Sequence, residues 1–173
     1  MSEMIVFFWV LVCITAPLYA YTTSWQAVTY WIGVKCQNDP RVNVSLSHKG
    51  SPLEIQSIFT PKYQNLRNVI QIILLFLILG FGTYLKWYLG IVGAITVWIG
   101  SGVAALLIPK KVTYYLKCLS VDLQHKKADY KKENDIERAA TALSLMVVID
   151  SLYEYAENKG LTINDLDKEN LSS

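Results

Sequence analysis

Charge is what this sequence has little of. Only 17% of its 173 residues are Asp, Glu, Lys or Arg, against roughly 25% in soluble globular proteins. The shortage is local. From Met4 to Tyr21 there is no acid, Lys, Arg or His, and from Val69 to Ile108 the one such side chain is Lys86. Runs of this kind argue against an ordinary soluble domain and for membrane insertion. No Asp or Glu falls inside them, and Gln71, Thr96 and Ser101 are among their few polar residues. That counts against a pump or transporter, which needs buried carboxylates to relay protons or bind cations.

Reactive side chains are equally scarce. The three cysteines, Cys13, Cys36 and Cys118, form no CxxC pair, which argues against a disulfide framework or a zinc knuckle and agrees with a reducing compartment. They read as small hydrophobes or inert thiols. There are two histidines, His48 and His125, and no HExxH, Walker or GxSxG pattern. No catalytic residue and no cofactor is therefore expected. Cys118, Asp122 and His125, with Asp129, share one face of a helix, and thiolate and imidazole are metal ligands. They are weak metal candidates, because ligands so spread along a helix cannot converge on one ion and charged residues belong on any solvated face.

What the sequence does have is apolar length. Met4–Tyr21, Val69–Leu85 and Leu89–Ile108 contain 18, 17 and 20 residues, and a spanning helix needs about 17–25. Lys86, Trp87 and Tyr88 separate the last two and suit the lipid headgroup layer, so these form a tight helical hairpin. The first segment reads as a retained span or tilted anchor. The alternative, a signal peptide, is disfavoured because Met1–Met4 carries no positive charge. Pro17 is placed to kink it.

The middle segment reads as a small sheet. Arg41–Ser47 alternates apolar and polar residues, the pattern of a half-buried strand. Asn38–Pro40 and Lys49–Pro52 supply turn chemistry, with Ala27–Lys35 and Leu53–Phe59 as partner strands. For the first of these there is a rival. Trp25, Val28, Trp31 and Ile32 fall on one face of a helix over Ser24–Ile32, which would lie at the membrane interface.

The tail reads as two helices. Val112, Tyr115, Leu116, Leu119 and Leu123 form one apolar stripe. A second helix, from about Ile136, ends at Gly160, a natural stop. Its stretch Ala139–Ile149 is apolar nearly all round and too short to span, so it must be buried in protein. Leu145, Met146, Val148 and Ile149 are its candidate partner or oligomer contacts. Residues 109–132 balance to +5 and residues 133–173 to −6, which favours antiparallel pairing. Lys110 and Lys111 fall near anionic lipid, at about 1 kcal/mol per charge. Apart from Tyr130 no aromatic interleaves the lysines of Lys126–Lys132, so nucleic acid is not an expected partner.

In the third span Gly90, Gly93, Ala94, Ser101, Ala104 and Ala105 lie on one side. Small residues on one face let membrane helices approach closely. That face would join copies or subunits, or else pack against the chain's own second span. Gly100 and Gly102 lie off it and leave room for another close contact.

The expected fold is thus a mainly α membrane protein with three transmembrane helices. Residues 1–23 are the N-terminal helix or anchor, 24–68 a cytosolic, β-rich segment, 69–108 the hairpin and 109–173 a cytosolic helical tail. Lys and Arg concentrate in 24–68 and 109–132, and the positive-inside rule puts both in the cytosol and the N-terminus outside. The membrane would be a plasma or inner membrane. The expected function is a non-enzymatic subunit or scaffold whose partners are membrane lipid, other subunits or copies of itself. The alternative is a homo-oligomeric, ligand-gated pore or membrane-disrupting effector whose cytosolic part senses a signal, with no ligand named by the sequence. A membrane-bound enzyme stands lowest.

Overall fold

The computed structural model describes residues 2–42 and 51–171, and among them the chain is helical with no β-strand. The helices are α1 (Ser2–Lys35), α2 (Pro52–Phe59), α3 (Lys62–Leu85), α4 (Leu89–Ala104), α5 (Val112–Lys132), α6 (Ile136–Lys159) and α7 (Leu166–Leu171). A 3-10 turn at Ile163–Asp165 precedes α7. The chain divides into two compact units, Met1–Ser24 with Lys62–Ile108, and Trp25–Pro61 with Pro109–Ser173. Helix α1 contributes to both.

The expected sheet is overturned. Ala27–Lys35 continues α1 without a break, so the helical alternative holds there. Trp25, Val28, Trp31 and Ile32 are its buried face. Their burial within protein, rather than at a lipid interface, is what extends the helix beyond its apolar run. Hydroxyls of Thr22, Ser24 and Thr29 donate to the carbonyls of Leu18, Ala20 and Trp25 at 2.8, 2.9 and 2.9 Å, so these polar side chains are satisfied within the helix. Leu53–Phe59, expected as a strand, lies in α2. There Ser51 and Glu54 form a reciprocal capping box and Pro52 sits in the first turn, a local signal that outweighs a short apolar run. Arg41 and Val42 are helical, and the rest of the expected strand, Asn43–Ser47, lies outside the described residues.

The third expected span is also corrected. Two helices, Glu3–Lys35 and Tyr63–Leu85, are long and apolar enough to cross a membrane, and α4 is a shorter apolar helix. It stops at Ala104 and the chain turns through 105–107. Gly100 and Gly102 weaken its last turns, and Pro109 disfavours helical geometry at Ile108. At 1.5 Å per residue its 16 residues reach about 24 Å, less than the roughly 30 Å hydrocarbon core.

In the first unit α3 and α4 pair through a turn at Lys86–Tyr88, where Leu89 N donates to Lys86 O at 2.9 Å. Phe8, Val12, Ile78 and Val97 form its core.

In the second unit α5 and α6 pack as a helical hairpin. Val112, Tyr115, Leu116, Leu119 and Leu123 are all buried, as are Ala142, Leu145, Val148 and Ile149 opposite them. Full burial of such aliphatic and aromatic side chains contributes about 1.5–3 kcal/mol each. The connection turns at Asn134, which has positive φ, and Asp135 caps α6 by accepting from Arg138 N at 3.1 Å. Gly160, at φ 61°, ends α6 in the left-handed region. The indole of Trp25 meets Tyr115 edge-on at 5.0 Å, and Trp31 stacks on Tyr155 at 6.4 Å. These rings tie the end of α1 to the hairpin. Gln56 ties α2 to α1 by donating to Thr29 Oγ1 at 3.1 Å.

Candidate functional site

The first unit presents two unlike surfaces. Its inward face is built for close approach. A Cβ on Gly93 would strike Phe8 and Ile78, one on Gly90 would strike Leu79 O and Thr83, and one on Gly82 would strike Gly90 and Phe8. Gly90, Gly93, Val97 and Ser101 are buried, Ala94 and Ala104 half-buried, and Ala105 exposed. Much of the small-residue face is therefore occupied by this chain's own α1 and α3. Gly102 and Gly80 have open space around them.

The outward face carries large apolar side chains on all three helices: Phe7 and Val10 on α1, Ile72 and Phe76 on α3, Ile95 and Trp98 on α4. Phe76 and Trp98 are 71% and 72% exposed. Apolar area on this scale, carried by adjacent helices, is a surface that water does not favour and lipid does. At the hairpin turn Trp87 is exposed and meets Tyr88 edge-on at 5.8 Å, with Lys86 Nζ 5.9 Å over the Tyr88 ring. A cation and two aromatics at a helix end are headgroup chemistry.

The second unit holds most of the ionisable groups. Lys110 and Lys111 are exposed at the start of α5. Their backbone pins the C-terminal segment, since Ile163 N donates to Lys110 O at 2.9 Å and Lys111 bridges to Thr162. Leu145, Val148 and Ile149 are buried within this unit and Met146 is half-buried, whereas Leu143 and Val147 are exposed. The exposed apolar stripe of α6 is thus offset from the residues singled out by sequence.

Asp122 pairs with Lys126 at 2.8 Å. No group of three His, Cys, Asp or Glu side chains that could hold a metal forms among the described residues, so Cys118, Asp122 and His125 are not brought into one site. Cys36 is buried, and its thiol pKa is pushed up to about 12 by that burial and by the Asp39 carboxylate. Asp39 is held below its ordinary value by Arg41, which donates to its two oxygens at 3.0 and 2.6 Å.

One cluster was not legible in the sequence. Glu169 of α7 accepts from Tyr155 Oη at 2.8 Å and from Lys159 Nζ at 3.0 Å, and lies 3.4 Å from Lys35 Nζ. Its side chain is 15% exposed. The Tyr155 and Lys159 hydrogen bonds lead in holding its carboxyl pKa down to about 2, with Lys35 adding to them. Trp31, beneath Tyr155, is fully buried. Residues of three helices, α1, α6 and α7, meet here, which no local pattern announces.

Comparisons with protein-family models, with curated proteins and with solved structures return no match for this chain.

Proposed function

We propose that this chain is a non-enzymatic, multi-pass integral membrane subunit or scaffold. In this reading the first unit is embedded in lipid and the second binds partner proteins. The observation that carries it is the division of α1, α3 and α4 into an inward face of Gly and Phe contacts and an outward face of large apolar side chains. Internal close packing of small residues holds helices together where no hydrophobic drive operates between them. Orientation follows from the lysines: the second unit and the C-terminus lie in the cytosol and Lys86 on the far side of a plasma or inner membrane.

Extraction tests insertion. The protein should stay with membranes washed in alkaline carbonate and leave them only in detergent; release by carbonate overturns the reading. An impermeant thiol reagent applied to intact cells should reach a cysteine at Lys86→Cys and miss Cys118. The native mass and composition of the detergent-extracted complex then test the role. Foreign subunits support a scaffold, whereas dye leakage from liposomes holding this protein alone overturns it in favour of a pore.

A further inference from the structure

We infer that Lys35, Tyr155 and Lys159 form a receptor for a carboxylate presented by a short acidic helix, and that α7 fills it in cis until a partner helix of the same chemistry displaces it. The inference rests on the second unit being partner-binding and names the class of partner.

Three observations carry it. First, the cradle is built for an anion. Two ammonium groups and a phenol converge on one carboxylate, with hydrogen bonds of 2.8 and 3.0 Å and an ion pair at 3.4 Å. Both lysines also lie over the Tyr155 ring, at 5.7 and 4.7 Å, and Trp31 stacks on the same ring. The carboxylate thus offsets two like charges gathered over one aromatic ring.

Second, the occupant is a small element of the kind that opens readily. Helix α7 has six residues, well below the length at which a helix holds itself together. It is anchored by Leu166, buried at its first position, and by Glu169 one turn later. A leucine and a glutamate at i and i+3 on one helix face are what the receptor reads.

Third, the cis fit is imperfect. Nε1 of the fully buried Trp31 and the buried Oδ1 of Asn170, next to Glu169, have no hydrogen-bond partner. Unpaired buried polar atoms are costly and uncommon in a fully matched contact. A trans ligand whose residue at the Asn170 position leaves no buried acceptor unpaired would therefore outcompete α7.

The test uses the full chain in detergent and a fluorescent peptide copying residues 161–171. Wild type should bind the peptide weakly, because α7 occupies the cradle. Glu169→Ala, which frees the cradle, should bind at least tenfold more tightly. Binding should weaken as salt is raised. A peptide with Gln in place of the residue-169 glutamate should lose that gain, as should Glu169→Ala chains also carrying Lys35→Ala and Lys159→Ala. Hydrogen exchange provides an independent reading: Glu169→Ala should speed exchange in α7 while leaving α5 and α6 protected. Failure of the peptide to bind Glu169→Ala chains whose α5 and α6 stay protected overturns the inference. So does equal binding of the Glu and Gln peptides. Carbonate extraction of the same samples reads the membrane proposal separately, so one can fail without the other.

Discussion

The ring of Phe8 occupies the space that a Cβ on Gly93 would need. This contact joins α1 to α4 and accounts for a glycine in the middle of an apolar helix, where it weakens helix propensity by up to about 1 kcal/mol relative to Ala. Gly93→Leu and Gly90→Leu should each destabilise the first unit by about 1–3 kcal/mol through overpacking. Gly102→Leu, with open space around it, should be neutral or better. Aggregation temperatures in detergent would decide, and equal losses at all three positions would contradict the packing described.

Gly33 of α1 makes a similar approach to α2, where an added methyl would collide with the Pro52 carbonyl oxygen. Helix propensity alone predicts that Gly33→Ala stabilises by about 1 kcal/mol. The collision is with backbone, which cannot swing aside, so the net effect should be a loss of about 1–3 kcal/mol. A raised melting temperature for this variant would show that α2 is not seated on α1.

Within α6, neighbouring residues should behave oppositely. Leu145→Asp and Val148→Asp place a charge in the α5–α6 core without a partner, at roughly 3–5 kcal/mol. Val147, 48% exposed, should tolerate Asp to within about 0.5 kcal/mol. Chemical unfolding of the solubilised protein measures all three. A large loss at Val147 would instead mark a contact with another chain.

Attachment of α7 should depend on pH in a defined window. Folding lowers the Glu169 pKa from 4.5 to about 2, so its contribution is fully present above the higher value and is lost as pH falls toward the lower one. Local exchange in α7 should therefore accelerate over that interval. Glu169→Gln should remove most of this dependence. A smaller part should persist from Asp165, whose pKa is also lowered, by the hydroxyl and backbone N–H of Thr162. An unchanged profile in Glu169→Gln would place the titration elsewhere.

Alkylation should find Cys36 silent. With its thiol buried and its pKa raised to about 12, almost no thiolate exists at pH 8. Cys118, half-buried, should react before it under native conditions, and Cys36 only once the second unit unfolds. Prompt labelling of Cys36 in folded protein would show that its surroundings open.

The apolar runs, the α5 stripe and the stop at Gly160 were legible because each is a local property: hydropathy over one helix length, period 3.6, a residue suited to positive φ. The capping box Ser51-Pro52-Leu53-Glu54 was equally local and was outweighed by a strand reading of the run that follows it. Alternation over Arg41–Ser47 pointed to a sheet that needs partner strands, and Ala27–Lys35 and Leu53–Phe59 are helical instead.

By itself, then, the sequence determined that the tail is helical where apolar residues recur at helical spacing, and that three stretches are strongly apolar, two of which lie in helices long enough for a membrane. Both follow from interactions between residues a turn apart and from transfer of side chains out of water. Only the tertiary structure decided which side of α4 meets Phe8, that Trp25 and Trp31 carry α1 onward as a buried face, and that Lys35, Tyr155 and Lys159 close on Glu169. Those contacts join residues as much as 134 positions apart. Their energy exists only once the helices have packed, and no spacing along the chain encodes it.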